Sequence, residues 1–191
     1  DLPVLVTDSG LAPGTALDVA GPTAYVAGTA LSVVDVSNAA FPSLLASAAL
    51  PFPARSLRVE GDFVIVTTFD EGAGQSFLHV FDVLDPAAPT LAGTVSSGAT
   101  TTVWTDVEVV RNTAYVASSS DGLVRVDISD PLTPSVLGIV PATSGAGYVA
   151  VDVEGFHAVA VERDLTAGVD VIDVRTPAVT GHFGSYGGGV D

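Results

Sequence analysis

The feature that most constrains this chain is a motif that occurs four times at a nearly constant spacing. Each copy reads as an apolar strand, an aspartate, a turn and a proline that starts another strand: "LSVVDVSNAAFPSLLAS" (31–47), "LHVFDVLDPAAPTLAG" (78–93), "LVRVDISDPLTPSVLG" (123–138) and "VDVIDVRTPAVTG" (169–181). By subtraction of their positions, the marker aspartates lie 47, 45 and 46 residues apart: Asp35, Asp82, Asp127 and Asp173. Such a period indicates one architecture built from equivalent units.

A hairpin pattern precedes each copy of the motif. Two alternating apolar runs flank a short turn in "LDVAGPTAYVAG" (17–28), "LRVEGDFVIVTT" (57–68), "VEVVRNTAYVAS" (107–118) and "VDVEGFHAVAVE" (151–162). This pattern is typical of β-hairpins with tight loops. One repeat therefore contains four short strands and no helical segment.

Four-stranded units at this period predict an all-β fold, a β-propeller of four-stranded antiparallel blades, because stacked blades bury both faces of each sheet. About four repeats are present, either as a whole propeller or as part of a larger one. The predicted blades lie at approximately 15–47, 55–93, 104–138 and 148–183. A β-sandwich or a β-solenoid is the second possibility, although sandwiches lack the period and solenoid coils are shorter.

The quoted motifs, together with "TAYVA" at 23–27 and again at 113–117, closely resemble the LVIVD repeat of bacterial and archaeal surface-associated propellers. The resemblance covers roughly residues 1–183 and implies the propeller fold much more specifically than any function. The last copy departs from the pattern, because Arg175-Thr176 stands where the other copies favour Ser-Asp before the proline. We therefore expect the strands of the last copy to follow the pattern, while its closing turn is shorter and differs from the others.

The two ends of the chain suggest a larger context. The segment 1–7 resembles the last strand of a preceding blade, and the glycine-rich segment 184–191 is typical of a tail or linker. The chain contains no methionine, which suggests a processed or truncated product. A closed four-bladed ring, two chains that form eight blades, and a segment of a longer polypeptide are all compatible with the repeats.

Charge excludes several classes of partner. The chain has 22 acidic and 6 basic residues, for a net charge of −16 at pH 7, and its basic residues are all arginines. Such a surface repels phosphate backbones and anionic lipids, so nucleic acid and anionic membrane surfaces are not expected partners. No apolar run approaches the length of a membrane helix, so membrane insertion is not expected either. Without cysteine the chain has neither disulfides nor thiolate sites, which suits an extracellular or cell-surface protein at least as well as a cytosolic one.

The marker aspartates have a structural interpretation. A carboxylate at the end of a strand can accept hydrogen bonds from the backbone N–H groups of the turn that follows it. We therefore expect Asp35, Asp82, Asp127 and Asp173 to shape the turns between strands rather than to bind metal.

A second set of charged residues lies on the first strand of each repeat, which lines the central channel of a propeller. The sequence places Asp18, Arg58, Asp106 and Asp152 at equivalent positions, with Glu60, Glu108 and Glu154 two residues after the last three. Facing carboxylates repel one another unless a cation lies between them. The sequence therefore predicts either an internal ion pair through Arg58 or a channel cation such as Ca²⁺, with these ligands: Asp18, Asp106, Asp152, Glu108 and Glu154.

Catalytic motifs were not found: the chain has no nucleophile elbow, no zinc-protease helix signature and no phosphate loop. Its three histidines fall in different repeats. Two candidate binding residues are Arg58 and Trp104, the only tryptophan, which lies in the long loop segment 95–106. Trp104 is either a recognition anchor or a core residue.

These observations favour a non-catalytic, secreted or cell-surface module for protein–protein interaction, adhesion or assembly of an extracellular structure. Its expected partners are other proteins, including further copies or segments of the same polypeptide. The alternative is a metal-dependent ligand-binding or enzymatic propeller with its site at the channel mouth. Fold alone does not decide between them, since propellers host many functions.

Overall fold

Sixteen β-strands make up the regular structure in the computed structural model, which describes residues 13–98, 101–164 and 168–184. The strand predicted within 1–7 lies outside the described residues, as does the tail predicted at 184–191 apart from its first residue. In the part of the chain that is described, no helix has the length and apolarity needed to cross a bilayer.

The strands form four antiparallel sheets, and in each sheet the strands lie side by side in chain order. Sheet 1 contains β1 (Gly14–Ala20), β2 (Thr23–Gly28), β3 (Ala30–Asp35) and β4 (Ser43–Ala49). Sheet 2 contains β5 (Ala54–Glu60), β6 (Phe63–Asp70), β7 (Gln75–Asp82) and β8 (Thr90–Ser96). Sheet 3 contains β9 (Trp104–Val110), β10 (Thr113–Ser118), β11 (Gly122–Asp127) and β12 (Ser135–Val140). Sheet 4 contains β13 (Tyr148–Glu154), β14 (His157–Glu162), β15 (Val169–Asp173) and β16 (Ala178–Phe183). The predicted four-stranded antiparallel blades are confirmed.

The first hairpin of every sheet closes with the same two-residue turn. Its first residue has a positive φ of 57° at Gly21 and Gly61, 61° at Gly155 and 58° at Arg111. A positive φ at this position matches the twist of the flanking strands, and glycine reaches it without a steric penalty. Arg111 is the exception, since a side chain at this φ is strained.

Each marker aspartate accepts a hydrogen bond from the backbone N–H two residues later. The donor-to-acceptor distances are 2.8 Å for Ser37 to Asp35, and 2.9 Å each for Leu84 to Asp82, Ser129 to Asp127 and Arg175 to Asp173. Hydrogen bonding from Ser37 and Ser129 holds the pKa values of Asp35 and Asp127 below their usual range. The predicted structural role of these aspartates is confirmed.

The fourth repeat closes differently, as its sequence suggested. The turn that joins β15 to β16 occupies only residues 174–177. Arg175 donates from both Nε and Nη2 to the Asp173 carboxylate, at 3.0 and 2.7 Å, and its guanidinium lies 4.6 Å from the centre of the Phe156 ring. The arginine that replaces the usual serine therefore stabilises this shorter turn.

The hydrophobic core consists of three layers, each between consecutive sheets. Leu31 and Val33 of sheet 1 pack with Leu57 and Val64 of sheet 2. The next layer joins sheets 2 and 3, and the third joins sheets 3 and 4 through residues such as Tyr115. Because the sheets stack in chain order, β1, β5, β9 and β13 lie beside one another along the inner side.

Candidate functional site

The strand register identifies which residues share a position along the inner row of first strands. Asp18 lies opposite Tyr25, Arg58 opposite Ile65, Glu108 opposite Tyr115 and Asp152 opposite Val159. Glu108 therefore occupies the position of Asp18, whereas Asp106 lies opposite Ala117, two residues earlier in the repeat. The predicted equivalence of Asp106 with Asp18 is wrong.

Asp18 and Asp106 connect neighbouring first strands. Asp18 Oδ2 accepts from the backbone N–H of Val59 at 2.9 Å, so β1 is joined to β5. Asp106 accepts from the Val151 N–H at 3.1 Å and from the Ser56 hydroxyl at 2.8 Å, so β9 is joined to β13 and to β5. Both carboxylates thus stabilise the packing of adjacent sheets.

Arg58 supplies the internal cation among these acidic groups. Its Nε lies 2.8 Å from Glu108 Oε2, and its Nη1 donates to the Leu57 carbonyl at 3.0 Å. Burial alone would lower the pKa of Arg58, but its hydrogen bond to Glu108 and the charges of Glu108, Asp106 and Asp18 raise it overall. Arg58 is therefore held as a fixed positive charge between sheets 2 and 3.

The predicted channel ligands do not converge on a common point. Asp152 and Glu154 are exposed on β13, whereas Asp18, Asp106 and Glu108 are partly buried in the contacts described above. Within the described part of the chain, the only group of three ligating side chains with atoms within 4.8 Å of one another is a different one: Glu162, Asp170 and His182.

This second cluster, which the sequence did not predict, lies in sheet 4 on the side that faces sheet 3. Asp170 accepts from the Tyr148 hydroxyl at 2.6 Å, from Thr143 N and Oγ1 at 2.9 and 2.8 Å, and lies 2.7 Å from His182 Nδ1. Burial would raise the pKa of Asp170, but these hydrogen bonds hold it below its usual range. The one available sequence signal was an ionisable residue at an inward position of an otherwise apolar strand.

Trp104, for which the sequence left a recognition anchor and a core residue as alternatives, is only 1% exposed. Its ring packs in the layer between sheets 2 and 3 with residues such as Val107 and Leu78. Its backbone N–H donates to Ser76 Oγ of β7 at 2.9 Å. Trp104 is therefore a core residue and does not face an external partner.

The two terminal sheets each present an apolar face that no other described sheet covers. The sheet 1 end face comprises Leu17, Val19, Val26 and Val34. The sheet 4 end face comprises Val159, Val161, Val169 and Val171. Sheets 1 and 4 are not stacked on each other as consecutive sheets are, so the described sheets form an open arc.

Residues of the end faces are exposed, whereas the residues at equivalent repeat positions of the inner sheets are covered by a neighbouring sheet. Leu17 is 63% exposed, whereas Leu57 and Val107 at the same repeat position are 0% exposed because the preceding sheet covers them. Val159 is 44% exposed, whereas its equivalent Ile65 is 0% exposed beneath the following sheet. Both end faces therefore have the composition of a surface that packs against another blade.

Comparison with known proteins agrees with this architecture. A family model described as LVIVD repeat matches residues 13–49, 53–97 and 104–141, together more than half of the chain. Comparison with curated protein sequences gives no match.

Solved structures share the fold at low sequence identity. The computationally designed Ika4 protein is 16% identical with a TM-score of 0.65, and the alignment covers 85% of this chain and 91% of Ika4. The designed Ika8 protein is 16% identical with a TM-score of 0.63, over 85% of this chain and 46% of Ika8. A chain of the Mitotic Checkpoint Complex is 17% identical with a TM-score of 0.64, over 88% of this chain and 49% of that chain. This chain thus spans about half the length of the latter two.

Proposed function

Because this chain belongs to the LVIVD repeat family, a β-propeller repeat, we propose that it is a non-catalytic, secreted or cell-surface module that acts through protein–protein contacts, as in adhesion or the assembly of an extracellular structure. The observation that carries this proposal is the pair of open apolar end faces. Contiguous exposed apolar surface of this kind marks interaction sites in soluble proteins.

The occupant we assign to the end faces is a second copy of this chain, with the sheet 4 end face of one copy on the sheet 1 end face of the next. The contact between sheets 1 and 2 is the template for this arrangement. Val169 and Val171 occupy the repeat positions of Leu31 and Val33, which are buried against sheet 2. The same geometry therefore buries both end faces at once.

Asp152 supports the same occupant. It has the repeat position of Asp18, which accepts the N–H of Val59 on the first strand of the following sheet. Asp152 is exposed at the end of the arc, where no sheet follows among the described residues. A first strand from another copy would supply the backbone donor that this carboxylate lacks.

Charge and residue usage support the location and the absence of catalysis that we propose. A net charge of −16 suits a soluble extracellular surface, and a chain without cysteine has no need of a particular redox environment. The inner carboxylates Asp18, Asp106 and Glu108 already serve the contacts between sheets.

Replacing Leu17 with glutamate is expected to separate the copies. Sedimentation velocity of the wild-type chain should show a concentration-dependent dimer or larger species, and Leu17→Glu should weaken that association by about 100-fold or more, because an unpaired carboxylate is buried at great cost. The matched control is Leu132→Glu, since Leu132 is similarly exposed but lies in the turn between β11 and β12. A wild-type chain that stays monomeric at about 100 μM, or equal weakening by both variants, would contradict the proposed assembly.

A further inference from the structure

Sheet 4 differs from the other sheets at three equivalent repeat positions, where it has Glu162, Asp170 and His182. Three residues before each marker aspartate lie Ser32, His79, Val124 and Asp170. Their cross-strand neighbours on the last strand are Ser47, Thr94, Ile139 and His182. Five residues after the first residue of the second strand lie Gly28, Thr68, Ser118 and Glu162. Sheet 4 alone fills all three positions with potential metal ligands.

Sheet 2 is the internal reference for these positions. There His79 is flanked by hydroxyls, with Nε2 2.9 Å from Thr68 Oγ1 and Nδ1 2.9 Å from Thr94 Oγ1. Both ring nitrogens are therefore satisfied by neutral groups. Sheet 4 has a histidine and two carboxylates in the same space.

Glu162 is the residue that the protein alone does not satisfy. Its side chain belongs to a residue only 1% exposed, and Oε1 accepts the Ser144 N–H at 2.7 Å. Its Oε2 is buried and has no hydrogen-bond partner. A buried carboxylate oxygen without a donor or cation is costly, and the neighbouring carboxylate of Asp170 increases that cost.

We propose that Glu162, Asp170 and His182 bind a divalent transition-metal ion of the Zn²⁺ class. One imidazole and two carboxylates suit Zn²⁺, which accepts nitrogen and oxygen ligands, whereas Ca²⁺ requires six to eight oxygens. Thr143 and Tyr148, which donate to Asp170, would orient that ligand as outer partners do in known metal sites.

A solvent-filled cleft lies close to the cluster along the chain. The cleft has a volume of about 430 Å³ and includes the residues that follow Ser144 and Glu162 in the sequence. It is lined by Ser119, Ser120, Gly145, Ala146, Arg163 and Asp164.

The test is a Zn²⁺ titration of the purified chain, followed by calorimetry and by NMR of the imidazole groups. The chain has three histidines, so each can be assigned. We expect one equivalent of Zn²⁺ to bind, to raise the melting temperature and to shift the resonances of His182 but not those of exposed His157 or buried His79. Ca²⁺ and Mg²⁺ should leave His182 unchanged.

Two variants locate the site. Glu162→Gln and His182→Gln should each weaken Zn²⁺ binding by about tenfold or more, and His157→Gln, which removes an exposed histidine from β14, should not. The proposal is overturned if wild-type protein binds no equivalent of Zn²⁺, or if binding shifts His157 and survives both variants as adventitious surface binding does. Should Glu162→Gln fail to fold, the wild-type imidazole spectra decide the question alone.

Discussion

Trp104→Ala is expected to destabilise the protein by about 4 kcal/mol, the largest effect of any single substitution proposed for this chain. The indole fills the layer between sheets 2 and 3, and its removal leaves a cavity bounded by residues from both sheets, such as Val107 and Leu78. Guanidinium unfolding followed by circular dichroism measures the loss, since the variant has no tryptophan for fluorescence.

The control for Trp104 is Phe41→Ala. Phe41 is also a large aromatic residue, but it is 74% exposed in the turn between β3 and β4. Its removal should change the free energy of unfolding by less than about 0.5 kcal/mol. Similar losses for the two variants would show that Trp104 is not the centre of a packed layer.

His79 is expected to make the protein less stable as the pH falls from about 6.5 to about 4. Burial lowers the pKa of His79 from 6.5 to about 4 in the folded protein. Between these values the unfolded chain binds a proton that the folded chain excludes, so acidification favours unfolding. The full loss across this window is about 3 kcal/mol, and the stabilisation is complete above pH 6.5.

A comparison of variants isolates this contribution from those of the many carboxylates. His79→Gln keeps a polar side chain between Thr68 and Thr94 but cannot take up a proton. Its free energy of unfolding, measured at several pH values between 7 and 4, should fall less steeply than that of wild type or His157→Gln. Parallel stability curves for wild type and His79→Gln would mean that folding does not lower the pKa of His79, and they would contradict this prediction.

The sheet order followed from the sequence because its signals are local. Each marker aspartate determines a turn by accepting a hydrogen bond from the N–H two residues later, and the proline after it fixes φ in the turn. The alternation of apolar residues then determines which strands pair as hairpins. Even the shorter fourth turn had a visible cause in Arg175.

The inner row was harder to predict because residue type is a poor guide to register. Asp106 resembles Asp18 chemically, but it lies two residues further from the turn of its hairpin than Asp18 does. Glu108, two residues later, faces the same direction as Asp18. The hairpin motifs at 17–28 and 107–118 already align Glu108 with Asp18, and the pairing of β9 with β10 confirms that alignment.

The cluster in sheet 4 and the open end faces required three-dimensional information. Glu162, Asp170 and His182 come from three strands of sheet 4, and their proximity depends on how β15 pairs with β14 and β16. Leu17 and Leu57 occupy the same repeat position, yet one is exposed and the other buried. The sequence of a repeat does not reveal whether another sheet covers it.

Disulfide cross-linking tests the open arc most directly, because the natural chain contains no cysteine. In the double variant Leu17→Cys and Val159→Cys, each end face carries one thiol. The open arc with end-to-end assembly predicts disulfides between copies, seen as reducible dimers and larger species on a non-reducing gel, and few such species in a Leu17→Cys and Leu132→Cys control. A disulfide formed within single chains would show that sheets 1 and 4 close into a ring, and it would contradict this account.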